Sequence, residues 1–518
     1  MTRTIPEVLL DAAERDAGGV WLRTDDTRLT FGAAVGAVAM AAERLMAAGV
    51  RGGDIVMVTA RNGPGYLLTL LGVWSLGAIA VPINPASASA ELAGIIEQTR
   101  PRAIVSDQEL EPLVRAELTA RAVTAAVLDV ADVASAQGEA RVTTLQPVAR
   151  PDDVAVLIPT SGTTGRSKLV MQTHRAYVMS GEGFPHWMEL TADDVLMTSL
   201  PLFHLNAPAY SVMGSLACGA GLVLLPRFSP SGFIDSARRH GATEFNAIGA
   251  MLEMLMRQEE RPDDPDNPLR LCYTGPAPTR ERQEQMERRF GLRIVCGYGM
   301  SESPYGLIWR RGTRPFGTLG SVRQHPSLGT VNEARVVDDE GNDVAVSATG
   351  ELLLRNPTVT PGYWGMPEET SAAIVDGWLH TGDLVIPNDD ATYTFVARRK
   401  EVIRRRGENL SPLEVEEVID THPDVLECAV VGVPSELSEE EVKAFVVPAD
   451  GRSPAIADLH SHAAERLSPF KVPRYWQLID ALPRTPTGRV ARHSLPAAHG
   501  EGEVDMAAPV ASRRGSAS

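Results

Sequence analysis

Through most of the first half of the chain, short apolar runs alternate with stretches of helical spacing. Residues 54–60 (DIVMVTA) form a strand-length apolar run. Residues 64–76 then carry Leu67, Leu70 and Trp74 at helical spacing, and 78–83 is apolar again. A helix is expected over 89–98 and a strand over 102–105, and 221–225, 247–256 and 269–273 continue the alternation. Unbroken apolar strands separated by helical segments predict parallel α/β units with sheets covered on both faces. Between 317 and 396 helical spacing thins out and turn-rich, strand-like pieces predict a β-rich subdomain. From about 402 a smaller unit begins, with a helix start at 412–419, strands at 427–433 and 443–447, and a helix at 455–467. That order fits a compact α+β domain of about 100 residues. Residues 497–518 lack periodicity and are expected to form a disordered tail.

Composition narrows the picture only a little. At 518 residues the chain is too long for one core and implies two or more domains. Its 49 Lys and Arg against 66 Asp and Glu leave a formal charge of −17, which argues against a broad nucleic-acid or anionic-membrane surface. No apolar run reaches membrane-spanning length and the N-terminus lacks a secretory pattern, so a cytoplasmic location is expected. Cys218, Cys272, Cys296 and Cys428 match no metal spacing and read as scattered buried thiols. Enrichment in Ala, Gly, Pro and Arg fits a GC-rich bacterial genome and secondary metabolism.

Four segments carry candidate chemistry: 160–168 (TSGTTGRSK), 298–302 (YGMSE), 378–383 (WLHTGD) and 482–490 (LPRTPTGRV). The first follows the apolar run 154–158, and its glycines and hydroxyls suit a backbone cradle for phosphate oxygens. Its glycine spacing does not fit a Walker A loop. Together these segments resemble the adenylate-forming superfamily of acyl-CoA synthetases, peptide-synthetase adenylation domains and luciferases, and this chain looks acyl-CoA ligase-like from about residue 6 to 495. The resemblance implies a multidomain α/β fold. It has two α/β subdomains and a β-barrel-like one over 1–398, a hinge at 399–401 with Lys400 at its pivot, and a mobile α+β domain over 402–496.

The resemblance also implies a site. Thr160, Ser161, Gly162, Thr163, Thr164, Gly165 and Lys168 would cradle phosphates, although Ser167 and Leu169 depart from the usual Pro and Gly around that lysine. Gly275, Pro276 and Ala277 would lie along the adenine, with Tyr298 stacking on it and Gly299 and Met300 beside it. Ser301 would contact the α-phosphate, and Glu302 would hold Mg²⁺ when ATP is bound. Asp383 would accept the ribose hydroxyls and Arg398 donate to the same sugar. His204, in 201–204 (PLFH), would orient the acyl group, unless it is a core histidine. Asn206, Ala207, Tyr210, Gly214, Asn246, Ala247, Gly297 and Met300 would line the acyl pocket. In 404–409 (RRRGEN), Gly407 would admit a pantetheine thiol, while Arg404, Arg405 and Arg406 could bind CoA phosphates or form a solvated edge. Arg406 stands where a second glycine is common. Lys443 is compatible with the CoA-facing surface.

The departure with the largest consequence is Arg489, where the family carries a lysine that drives carboxylate attack on ATP. A compact ammonium fits between two reacting anions, whereas a guanidinium is planar and needs fixed donor geometry. The expectation is an enzyme that converts acyl-adenylate and CoA into acyl-CoA and AMP, with adenylation weak or absent and a separate adenylating partner upstream. The alternatives are a complete ATP-dependent ligase using Arg489, a domain acylating a carrier protein, or a non-catalytic adenylate-binding protein.

Overall fold

The computed structural model describes residues 3–134, 145–160, 167–275, 277–405, 408–434, 440–485, 490–496, 500 and 502–506. Two large sheets occupy the N-terminal part. One has nine strands in the order Ser321–Val322, Ser303–Ile308, Arg293–Met300, Leu271–Thr274, Glu244–Asn246, Val195–Thr198, Gly221–Leu224, Val20–Arg23 and Arg28–Thr30. The other has six, in the order Ala126–Asp129, Ala103–Ser106, Ile55–Thr59, Ile79–Ile83, Val154–Thr160 and Lys168–Thr173. Parallel pairing dominates the interior of both, as the unbroken apolar runs predict.

One apolar core joins the sheets. Leu196 and Leu222 from the first and Val56, Ala80 and Val156 from the second share a buried cluster with the helices Phe31–Ala47, Pro64–Ser75 and His174–Met188. The helix Pro64–Ser75 opens on Pro at its first position, where a missing N–H costs nothing, and is buried on nearly every side. Thr173 accepts a hydrogen bond from Ala176 N and so caps His174–Met188.

The turn-rich stretch forms a five-stranded antiparallel sheet from Glu333–Val337, Gly350–Arg355, Trp378–Pro387, Ile374–Val375 and Tyr393–Arg398. The smaller domain follows, with helices Pro412–Ile419 and Ile456–Ala464 packed on a sheet of Val425–Pro434, Glu440–Pro448, Tyr475–Leu478 and Glu503–Asp505. No helix among the described residues is long and apolar enough to cross a membrane.

The expectation of a disordered tail over 497–518 does not hold for Glu503–Asp505, which pairs antiparallel with Tyr475–Leu478. Charge explains the pairing. Fully buried Lys443 meets Glu503 at 2.6 Å, and Arg474 holds Asp505 through two bonds of 2.9 and 2.8 Å. Lys443 is thus committed inside the domain and does not lie on the CoA-facing surface with which its sequence position was compatible. Removing one partner of a buried ion pair costs about 3–5 kcal/mol. Ending the chain at Pro496 is therefore expected to destabilise the C-terminal domain by an amount of that order, read from urea unfolding of the 1–496 chain against wild type.

Glu244 is buried completely, and neither carboxylate oxygen has a hydrogen-bond donor among the described residues. Burial, reinforced by Asp194, pushes its pKa well above the ordinary 4.5. The unfolded chain releases this proton near 4.5 while the fold retains it, so the stability tied to Glu244 is present below that pH and is lost as pH rises. Glu244→Met is expected to stabilise the protein by about 1–3 kcal/mol at neutral pH. The gain shrinks towards pH 4.5, and unfolding curves across pH check both size and sign.

Candidate active site

The expected ribose end of the site is built by two paired strands. Asp383 on Trp378–Pro387 sits opposite Arg398 on Tyr393–Arg398, and the Arg398 Nε lies 3.1 Å from Asp383 Oδ1. Tyr298, on Arg293–Met300, donates its phenol to Asp383 Oδ2 at 2.6 Å. Burial, followed by the adjacent Asp383 carboxylate, pushes the Tyr298 phenol well up, so it remains a donor. Asp383 is only 1% exposed, and beyond the ion pair with Arg398 its Oδ1 accepts no hydrogen bond among the described residues. A buried carboxylate oxygen with an unused lone pair fits a ribose hydroxyl. The turn before Asp383 is held from behind, because Glu351 accepts from Gly382 N at 3.0 Å and contacts His380 and Arg399.

The expected phosphate end begins as a β-hairpin. Val154–Thr160 and Lys168–Thr173 pair antiparallel, with Thr160 opposite Lys168 and Thr160 Oγ1 donating to Lys168 O at 3.3 Å. The cradle residues Ser161, Gly162, Thr163, Thr164 and Gly165 lie outside the described residues. Lys168 Nζ stands 4.6 Å above the Tyr363 ring, and Tyr363 donates its hydroxyl to Glu302 Oε1 at 3.0 Å. Buried Gln172 donates to Ser301 O at 2.6 Å, and Thr360 N donates to Glu302 O at 2.7 Å. These bonds fix the backbone on which Ser301 and Glu302 sit. Among the described residues no cluster of three or more His, Cys, Asp or Glu could enclose a metal. A single half-buried carboxylate such as Glu302, whose Oε2 accepts no hydrogen bond among those residues, suits Mg²⁺ carried mainly by substrate phosphates.

Gly275 ends Leu271–Thr274, and a Cβ there would fall 2.3 Å from Gly297 O, so only glycine permits that approach. Pro276 lies outside the described residues, while Ala277 packs partly buried against the main core. Gly299 and Met300 continue the Tyr298 strand, with the Met300 sulfur 3.7 Å from the Tyr298 hydroxyl.

On the acyl side, Asn62 clamps the loop before His204 by donating to Leu200 O and accepting from Leu202 N, both at 2.9 Å. His204 packs edge-on against Phe203 at 4.5 Å and borders a small open cleft that also touches Asn84, Glu91 and Thr160. Asn246 donates to Asn206 at 2.6 Å, and Tyr210 donates to Pro304 O at 2.6 Å.

The expected thiol side divides. Arg405 is not available to CoA: it is 5% exposed, meets Glu441 at 2.6 Å, and donates to Phe470 O and Val472 O. In the hairpin of Ile403–Arg405 with Glu408–Leu410, alternate residues face opposite sides, which turns Arg405 inward and leaves Arg404 exposed. Lys400 is exposed just beyond Tyr393–Arg398. Arg406, Gly407 and Arg489 lie outside the described residues. The arginines around Arg489 are committed: Arg484 pairs with Glu427, and Arg492 meets Glu416 at 2.6 Å and Glu401 at 3.2 Å.

Tyr363, Gln172 and Asn62 were absent from the sequence reading. Tyr363 carried the clearest signal, an aromatic pair between glycines in 361–365 (PGYWG).

Comparison with known proteins shows the family of the chain. A family model described as AMP-binding enzyme matches residues 9–364, and one described as AMP-binding enzyme C-terminal domain matches 414–489. The chain belongs to the AMP-binding enzyme family. This AMP-binding enzyme is 31% identical over 466 residues to a crotonobetaine/carnitine–CoA ligase of Salmonella typhimurium, covering 86% of this chain and 89% of that one. Among solved structures it is similar to the anthranilate CoA ligase AuaEII in complex with anthranoyl-AMP, with a TM-score of 0.85, 25% identity, and 95% and 96% of the two chains covered. It is likewise similar to o-succinylbenzoate CoA synthetase from Bacillus subtilis bearing its acyl-adenylate intermediate, with a TM-score of 0.84, 25% identity, and 96% and 99% covered. It is an acyl-CoA ligase-like, adenylate-forming enzyme.

Proposed function

We propose that this enzyme transfers the acyl group of an acyl-adenylate to the thiol of CoA, releasing AMP, and that its own adenylation step is slow or lost. What supports the reading is Arg489, which ends 482–489 where the resemblance implies a lysine. Adenylation crowds a carboxylate against a triphosphate, and loss of a central, well-placed cation there costs about two to three decades in rate. Arg484 and Arg492 are held in ion pairs, so neither supplies a ready replacement.

The thioester step asks for less. The mixed anhydride is already activated and AMP is a competent leaving group, so alignment and exclusion of water dominate. Asp383 and Arg398 would fix the ribose, Tyr298 would stack on the adenine, and Ser301 would hold the phosphate. His204 would orient the carbonyl, while rotation about Lys400 would bring Gly407 and Arg404 to the thiol and phosphates of CoA. A separate adenylating enzyme would supply the intermediate.

A complete ATP-dependent ligase is the second reading, and the Lys168–Tyr363–Glu302 array favours it, since a magnesium-binding carboxylate serves only the ATP-consuming half. Glu302 would hold Mg²⁺ when ATP is bound, and the ion would supply positive charge against the phosphates. The test supplies one preparation with acid, ATP and CoA, or with synthetic acyl-adenylate and CoA, across an acid panel. Thioester from the adenylate alone supports the proposal; equal turnover from ATP assigns the complete ligase.

A further inference from the structure

Arg323 follows the short strand Ser321–Val322 and is completely buried in a chain of net charge −17. None of the ion pairs among the described residues includes it. Its guanidinium is satisfied by neutral groups instead. Nε donates to Leu307 O at 2.8 Å, Nη1 to Tyr210 Oη at 3.0 Å and Pro304 O at 3.2 Å, and Nη2 to Tyr273 Oη. The same guanidinium lies 4.8, 5.1 and 5.5 Å from the rings of Trp187, Tyr210 and Tyr273. An aromatic enclosure of this kind suits a cation, including a quaternary ammonium ligand. Here an internal cation already fills it.

This enclosure adjoins the strand that holds the adenylate. A Cβ on Gly297 would fall 2.8 Å from both Arg323 Nη2 and Tyr273 Oη, and one on Gly299 would fall 2.8 Å from Tyr210 Oη. Those glycines flank Tyr298, whose phenol faces Asp383, so strand alternation turns their bare side towards the arginine and the two tyrosines. One strand further, Asn246 stands in register with Tyr273. Asn246 is fully buried and bonded to Asn206, yet its Oδ1 accepts nothing among the described residues. A buried acceptor left unused in this way needs a donor, which an ordered water can supply.

Resting on the reading that the chain binds acyl-adenylates, we propose that Arg323 is a specificity-determining residue of the acyl site. It places a positive charge and tyrosine hydroxyls behind Gly297 and Gly299. The acid selected has an acceptor oxygen at its far end, a carboxylate or a carbonyl. Acids ending in a quaternary ammonium, carnitine among them, are rejected. Two cations about 6 Å apart at an intermediate dielectric repel enough to weaken binding on the order of 10²-fold.

Non-hydrolysable acyl-sulfamoyl adenosines test this without any turnover. Calorimetry compares three tails of similar length, from hexanedioic acid, 5,5-dimethylhexanoic acid and 4-(trimethylammonio)butanoic acid. The expected order is carboxylate tightest, neutral tail at least ~10-fold weaker, and ammonium tail ~100-fold weaker than the neutral one. Arg323→Met is expected to remove the carboxylate preference and improve the ammonium tail, whereas Arg323→Lys keeps the order. Tyr273→Phe, which leaves the arginine in place, is expected to weaken the carboxylate tail alone. Three tails within about threefold of one another on wild type, or the ammonium tail tightest, overturns the proposal. Plain 5′-sulfamoyladenosine on wild type separates the two ideas: its failure to bind contradicts the adenylate reading itself, whatever the tails do.

Discussion

Replacing Arg489 with lysine is expected to raise ATP-dependent thioester formation by about 10²- to 10³-fold. The same substitution is expected to change turnover of a supplied acyl-adenylate by less than about threefold, since the two half-reactions ask for different groups. The reason is steric as much as electrostatic. Both side chains are cationic, but the ammonium is a compact donor that can enter between carboxylate and α-phosphate, while the guanidinium requires a planar arrangement of acceptors. Parallel assays of ATP-driven and adenylate-driven thioester formation check the asymmetry. Equal gains in both would mean that Arg489 obstructs the domain movement rather than the chemistry of adenylation.

Asp383→Ala is expected to weaken binding of AMP and of acyl-sulfamoyl adenosines by about 10²- to 10³-fold, because two hydrogen bonds to a charged acceptor are lost at about 1.5–3 kcal/mol each before relaxation. The substitution also strips Tyr298 of its acceptor at 2.6 Å and Arg398 of its carboxylate at 3.1 Å. Tyr298→Phe is expected to lose about tenfold, the worth of one bond that positions the carboxylate. Titration calorimetry on both variants distinguishes direct contact from positioning, since only the former removes the bonds to the sugar. A Tyr298→Phe loss as large as that of Asp383→Ala would place the main nucleotide contact on the tyrosine.

Much of the fold was legible because its strands are buried on both faces. The run at 54–60 became Ile55–Thr59, and helical spacing at 64–76 became Pro64–Ser75. The tail was misread for the opposite reason. Glu503–Asp505 is polar and short, and its strand is fixed by charges on Lys443 and Arg474 that lie far away in sequence. Arg405 shows the same limit: three consecutive arginines look equivalent in a sequence, but hairpin alternation buries one beside Glu441 and exposes its neighbour. In the site, Asp383, Tyr298 and Glu302 stood in contiguous motifs and Arg398 followed from the resemblance, and the fold assembles their pairings. Tyr363, Gln172 and Arg323 act from strands and turns remote in the chain, where only tertiary contact gives them meaning.

Acid-dependent exchange of pyrophosphate into ATP, measured on wild-type enzyme with an acid whose supplied adenylate it turns over, tests the division of half-reactions most directly. Exchange is expected to be at least ~100-fold slower than thioester formation from that adenylate. Exchange as fast as thioester formation would contradict it and return Arg489 to the role of an adenylating cation.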